Sequence, residues 1–106
     1  MKILRTREQL YKNLKQNKNL SFIPTMGSLH KGHASLIKEA KKRKGDIIVS
    51  IFVNPKQFNS KKDYDNYPRN EKKDIKLLKK LKIDYLFIPT YKQIFSFKTK
   101  NKIYLN

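Results

Sequence analysis

Cysteine and tryptophan are both absent from this 106-residue chain, and acidic residues are scarce, 8 Asp and Glu against 26 Lys and Arg. The lack of cysteine excludes disulfides and thiolate metal sites and suits a reducing compartment. No apolar run approaches the roughly 20 residues needed to span a bilayer. The first residues, Met1-Lys2-Ile3-Leu4-Arg5, also lack the apolar core of a signal peptide, so a cytoplasmic location is expected. The shortage of acid leaves a formal net charge of +18, an electrostatic footprint shared with nucleic-acid binders. The positive charge is nearly all lysine, however, with Arg5, Arg7, Arg43 and Arg69 the arginines. The lysines fall where a solvated face would put them, such as Lys41, Lys42 and Lys44 after one helical stretch and Lys72, Lys73, Lys76, Lys79 and Lys80 along another. Base-contacting arginines and an RNA-binding aromatic motif are not evident. A nucleic-acid partner is therefore not expected, and a small basic RNA-associated protein stands as an alternative resting on charge alone. A bias towards anionic small molecules follows on either reading.

What is present reads as one α/β domain. Residues 1–4 form a short extended segment. Thr6-Arg7-Glu8-Gln9 has the form of a capping box, with Leu10 and Leu14 continuing the apolar face of a helix. Residues 20–23 predict a strand stopped by Pro24, and helical spacing resumes near His33 with Leu36, Ile37 and Ala40. Residues 46–53 are almost continuously apolar and β-branched, as in a central strand covered on both faces. Asn54-Pro55 ends it, and a polar loop over residues 56–68 is long enough to be a candidate for function. Asn70 can cap a helix carrying Ile75, Leu78 and Leu81, and residues 85–88 predict a further strand closed by Pro89. Strands alternating with helices imply parallel crossovers. Residues 91–97 could begin another helix and residues 100–105 another short strand.

Chemistry concentrates in Pro24-Thr25-Met26-Gly27-Ser28-Leu29-His30-Lys31-Gly32-His33. Two histidines stand three residues apart where a strand gives way to a helix, with Gly27 and Gly32 permitting a turn or a close backbone approach. An isolated His-x-Gly-His also fits packed or solvated side chains. The order strand, loop, helix is that of a phosphate site beyond the carboxyl end of a strand in an open α/β sheet. His30 and His33 can donate hydrogen bonds to phosphate oxygens, more strongly when protonated. In a parallel sheet the loop after the next strand emerges on the same edge, bringing Asn54 and Gln57, whose amides suit hydroxyl and carboxylate groups. No Ser-His-Asp set, cysteine nucleophile or metal-ligand cluster can be assembled, which leaves nucleotide-driven activation as the leading enzymatic class.

Residues 22–33, the run Val49-Ser50-Ile51-Phe52-Val53-Asn54-Pro55-Lys56-Gln57-Phe58, and Asp63 through Tyr67-Pro68-Arg69 together resemble the N-terminal part of pantothenate synthetase, or pantoate-β-alanine ligase. The resemblance covers residues 1–90, with residues 91–106 a divergent tail. It implies a Rossmann-like nucleotidyltransferase fold, a parallel sheet with helices on both faces. The activity implied is ATP-dependent condensation of pantoate with β-alanine through pantoyl adenylate, with release of AMP and pyrophosphate and with Mg²⁺ accompanying ATP. By the same resemblance, Met26, Gly27, Ser28, Leu29, His30, Lys31, Gly32 and His33 line the ATP site, His33 is the proton donor and His30 assists at the phosphates. Gln57 contacts pantoate and β-alanine, and Pro24, Thr25 and Asn54 lie along the pantoate pocket. The family's second half, with a Gly-Glu-Lys-Asp-type loop, a further glutamine and a Ser-Ser-Arg segment, has no counterpart in these residues. The expectation is a truncated fold owning one wall of the active site, either completed by a C-terminal fragment or persisting as a non-catalytic ATP- or pantoate-binding remnant, with a homodimer as the other expected partner.

Overall fold

The structure, a computed structural model, describes residues 1–95. Four strands, β1 (Lys2–Leu4), β2 (Leu20–Thr25), β3 (Asp46–Ile51) and β4 (Tyr85–Phe87), form one parallel sheet in the order β1-β4-β3-β2. Five helices connect or flank them: α1 (Arg7–Leu14), α2 (Lys31–Ala40), α3 (Lys61–Asn66), α4 (Glu71–Lys80) and α5 (Tyr91–Phe95). From β1 the chain crosses to the far edge at β2, then steps back through β3 to β4. Crossovers of one hand that reverse direction put their helices on opposite faces of the sheet. Accordingly Leu10 of α1 packs with Leu4, Ile48 and Phe87 on one side. Ile37 of α2 and Leu78 of α4 pack with Ile47, Val49, Ile51 and Leu86 on the other. The architecture is the Rossmann-like one expected, with helices on both faces.

β3 explains why the sheet holds. Its alternate side chains serve both clusters, and all but Asp46 of its residues are buried. Val49, Leu78, Leu86 and Phe87 are fully enclosed, each such side chain stabilising the fold by about 1.5–3 kcal/mol. Local signals set the helix starts. Thr6 Oγ1 accepts from the Gln9 N–H at 3.1 Å while Gln9 Oε1 accepts from the Thr6 N–H at 3.3 Å, and Asn70 Oδ1 accepts from the Lys73 N–H at 3.2 Å.

Three expectations are corrected. Pro24 does not stop the second strand, which continues to Thr25. Among the described residues β2 is an edge strand, where a residue without an N–H can face outwards at no cost to the ladder. The helix expected near His33 begins at Lys31, because His30 itself caps it. The polar stretch after Asn54 is not one irregular loop, since it contains a single 3₁₀ turn, Pro55–Gln57, and α3. The strand expected over residues 100–105 lies outside the described residues.

Candidate active site

The carboxyl ends of β2 and β3 open into a cleft of about 540 Å³. One wall is the loop after β2. Thr25 Oγ1 donates to the Ser50 carbonyl of β3 at 2.8 Å and accepts from the Gly27 N–H at 3.2 Å, so the loop turns as soon as the strand ends. Gly27 takes φ +79°, a left-handed conformation that glycine adopts without the clash a Cβ brings.

Beyond Gly27 the loop is gripped from behind. Asp74 of α4 is only 3% exposed; its Oδ2 accepts from the Ser28 N–H at 3.0 Å and its Oδ1 from the Leu29 N–H at 2.9 Å. Ser28 Oγ donates to the Pro68 carbonyl at 2.7 Å. These contacts deliver the chain to His30 in a defined direction.

The two histidines then form a capping box of their own. His30 Nδ1 accepts from the Gly32 N–H at 3.0 Å, and His33 Nδ1 accepts from the His30 N–H at 3.1 Å. The ring of His30 folds so closely over Gly32 that a Cβ there would stand 2.9 Å from His30 Cε1. An accepting Nδ1 carries a lone pair, so each neutral ring holds its proton on Nε2. The imidazole centroids are 4.2 Å apart. Burial pushes the His33 pKa below its ordinary 6.5, and the neighbouring His30 pushes it the same way, against the attraction of Asp74. That leaves the Nε2–H of each ring as its free donor; protonation at Nδ1 would cost the cap.

The opposite wall follows β3. Asn54 Oδ1 accepts from the Lys56 N–H at 3.0 Å and caps the 3₁₀ turn, leaving the amide nitrogen for a ligand. Gln57 ends that turn at the cleft rim. Tyr67 completes the lining together with Ser50 and Phe52. Arg69 secures this side, donating to the carbonyls of Tyr67 at 2.8 Å and Tyr64 at 2.9 Å while its guanidinium lies 4.7 Å from the centre of the Tyr64 ring.

Of the residues expected at the site, Pro24, Thr25, Met26, Gly27, Ser28, His30, His33, Asn54 and Gln57 line this one cleft. Leu29, Lys31 and Gly32 do not line it. Leu29 turns back onto the α2/α4 side of the core, and Lys31 and Gly32 are exposed on the first turn of α2. Sequence reasoning missed Asp74, Tyr67, Ser50 and Phe52. The signal for Asp74 was an acid four residues before Leu78, on the buried face of its helix.

A parallel sheet with helices on both faces, carrying a histidine-capped helix over a polar cleft at the ends of adjacent strands, is the arrangement of Rossmann-like nucleotidyltransferases. The sequence profile of pantoate-beta-alanine ligase matches residues 2–105, and the chain belongs to that family. It is 46% identical over 88 residues to the pantothenate synthetase of Pseudothermotoga lettingae, an alignment taking in 83% of this chain and 31% of that one. It is 48% identical over 97 residues to the pantothenate synthetase of Wigglesworthia glossinidia brevipalpis, covering 90% and 34% of the two chains. The crystal structure of pantothenate synthetase from Thermus thermophilus superposes with a TM-score of 0.86 at 32% identity, over 100% of this chain and 38% of that one. The pantoate-beta-alanine ligase of Francisella tularensis, solved in complex with β-γ ATP and β-alanine, gives 0.84 at 43% identity, over 100% and 42%. The chain thus spans well under half the length of the relatives it matches.

Proposed function

We propose that this chain forms one wall of an ATP-dependent pantoate-activating site and takes part in the condensation of pantoate with β-alanine. The observation carrying this reading is the convergence of His30, His33, Asn54 and Gln57 on one cleft at the ends of β2 and β3. In the first step a carboxylate oxygen of pantoate attacks the α-phosphorus of ATP, the bond to the β-phosphate oxygen breaks, and pyrophosphate leaves. In the second, the amine of β-alanine attacks the acyl carbon of pantoyl adenylate, and AMP leaves with the bonding electrons.

The chain's own residues suit these steps. The Nε2–H groups of His30 and His33 donate hydrogen bonds to phosphate oxygens as negative charge grows there, and Met26, Gly27, Ser28, His30 and His33 form the nucleotide side. Pro24, Thr25 and Asn54 border the pantoate side, and the Gln57 amide orients pantoate and β-alanine, which supplies proximity. Mg²⁺ fits only as a companion of the triphosphate. Among the described residues no group of three His, Cys, Asp or Glu is placed to hold a metal, and both Asp74 oxygens are engaged by backbone amides. The ion bound there would neutralise phosphate charge.

The measurement is AMP formation dependent on both pantoate and β-alanine, with the remaining portion of a ligase relative supplied as a second polypeptide. The expected result is turnover that falls on the order of 10²-fold in His33→Ala. No turnover with the complement present would overturn the catalytic reading. Calorimetry with ATP or pantoate then separates the non-catalytic binding remnant: heat of binding that is reduced in His33→Ala supports a retained site, and no binding of either ligand rejects it.

A further inference from the structure

Ser50 is the one polar side chain in the apolar run of residues 47–53. Side chains alternate along a strand. Ile47, Val49 and Ile51 enter the core beneath α2 and α4, and Ile48 enters the core beneath α1, so Ser50 shares the side of Ile48. Beyond Ile48 that side passes from core to cleft, since Ser50 and Phe52 line the cleft together with Pro24. The neighbours of Ser50 in the sheet are Pro24 on β2 and Phe87 on β4, whose side chains cannot hydrogen-bond. Ser50 is 2% exposed. Its carbonyl accepts from Thr25 Oγ1 at 2.8 Å, but its hydroxyl has no partner among the described residues. Every fully enclosed side-chain polar atom there is hydrogen-bonded, so the Ser50 hydroxyl opens onto the cleft floor. The other serine and threonine hydroxyls of the cleft are committed, Thr25 Oγ1 to the Ser50 carbonyl and the Gly27 N–H, and Ser28 Oγ to the Pro68 carbonyl.

We infer that Ser50 is a specificity-determining residue, its hydroxyl the group at the cleft floor that hydrogen-bonds the terminal hydroxyl of pantoate. The assignment rests on the half-site reading above and deepens it. Pantoate carries a carboxylate and an adjacent hydroxyl at one end, two methyl groups on the next carbon, and a hydroxymethyl group at the other end. Its carboxylate has to face the nucleotide side, where His30 and His33 donate from beyond the end of β2. The hydroxymethyl end then points back to the strand ends, where Pro24 and Ser50 pair in register. Pro24, Met26 and Phe52 supply apolar surface for the methyl groups. A hydroxyl at the base of that surface needs a partner that can donate or accept, and a serine hydroxyl does both without a charge to desolvate. A site built round such a pair rejects an analogue lacking the hydroxyl, because the buried partner is then left unpaired.

The test is calorimetry of the full chain, alone and with the remaining portion of a ligase relative supplied, using pantoate and two analogues. One, 2-hydroxy-3,3-dimethylbutanoate, lacks the terminal hydroxyl; the other, 4-hydroxy-3,3-dimethylbutanoate, keeps it and lacks the inner one. Ser50→Ala should bind pantoate roughly five- to tenfold more weakly than the parent and bind ATP equally well. Against the analogue without the terminal hydroxyl the two proteins should be equal, whereas the analogue that keeps it should show the same loss as pantoate, the pattern of a directly coupled pair. Since no bond within the chain is removed, Ser50→Ala should melt no lower than the parent. A lower Tm would assign the hydroxyl to the fold and overturn the proposal. So would a loss that is the same with and without the terminal hydroxyl, or one that follows the inner hydroxyl instead. Undiminished pantoate binding in Ser50→Ala would leave the hydroxyl to an ordered water and reject this residue's role alone, with the half-site reading intact. Absence of pantoate binding by the parent in both preparations would reject the half-site reading and the assignment with it.

Discussion

Replacing Asp74 by asparagine tests whether one buried carboxylate holds the histidine loop. In the parent, both carboxylate oxygens accept amide hydrogens, from Ser28 at 3.0 Å and Leu29 at 2.9 Å. Asparagine keeps one acceptor and turns an NH₂ towards the other amide. One charge-assisted bond then becomes neutral and the other becomes a donor facing a donor. Bonds to charged groups contribute about 1.5–3 kcal/mol each, and an orphaned buried N–H costs about 1–3 kcal/mol. Relief of the desolvated charge offsets part of this, leaving an expected loss of about 2 kcal/mol. For a domain of this size that corresponds to a fall in Tm of about 10 °C. The assay is urea and thermal unfolding followed by circular dichroism, with Asn70→Ala as the reference. That substitution removes the N-cap of α4, at a cost of about 1 kcal/mol, without touching the loop. Asp74→Asn should also disperse the Ser28 and Leu29 amide signals and lower the His33 pKa further, since Asp74 is the group that raises it. A loss no larger than that of Asn70→Ala, with the Ser28 and Leu29 signals unmoved, would refute the reasoning and leave the loop held by Thr25 and Ser28 alone.

Two other outcomes follow from the same geometry. Because His33 is depressed below its ordinary 6.5, the unfolded chain binds the proton more readily than the folded one. The contribution of this residue to stability is therefore complete above pH 6.5 and is lost as pH falls from there through the folded pKa. Melting between pH 7.5 and 5.5 should show a smaller acid loss in His33→Gln than in the parent, and an equal or larger loss in the variant would contradict the assignment. Gly27→Ala forces a left-handed φ on a side chain whose Cβ would sit 3.2 Å from Ile51 Cγ2 and 3.3 Å from Asp74 Oδ2. A loss of about 1–3 kcal/mol in urea unfolding is expected, and a variant as stable as the parent would show that the loop readjusts freely.

Much of this molecule is legible in the order of its residues because the relevant interactions are local. Thr6 with Gln9, Asn70 before its helix and the unbroken apolar run of β3 announce themselves within a few positions, since caps act across one turn and a strand buried on both faces has no polar side to show. Parallel alternation of strands and helices places the loops after β2 and β3 on one edge of the sheet. Pro24, Thr25, His30 and His33 can for that reason be grouped with Asn54 and Gln57 before any coordinates. Pro24 reads as a stop in the sequence and is not one in the fold, because whether proline ends a strand depends on whether that strand lies at the edge, and strand order is a property of the whole sheet.

The sequence by itself determined the fold class, the family and most of the cleft lining, all of which rest on local pattern and motif spacing. Only the tertiary structure decided the chemical state and support of the site. Asp74 reaches the loop across 46 residues of chain, a partnership that no local pattern encodes. The two imidazoles are left with Nε2 as their free donor because the backbone N–H groups of His30 and Gly32 claim their Nδ1 atoms. Among the described residues β2 lies at the edge of the sheet because β3 alone pairs with it. Each of these depends on which distant groups meet in the folded chain, where direction and solvent access are set by packing.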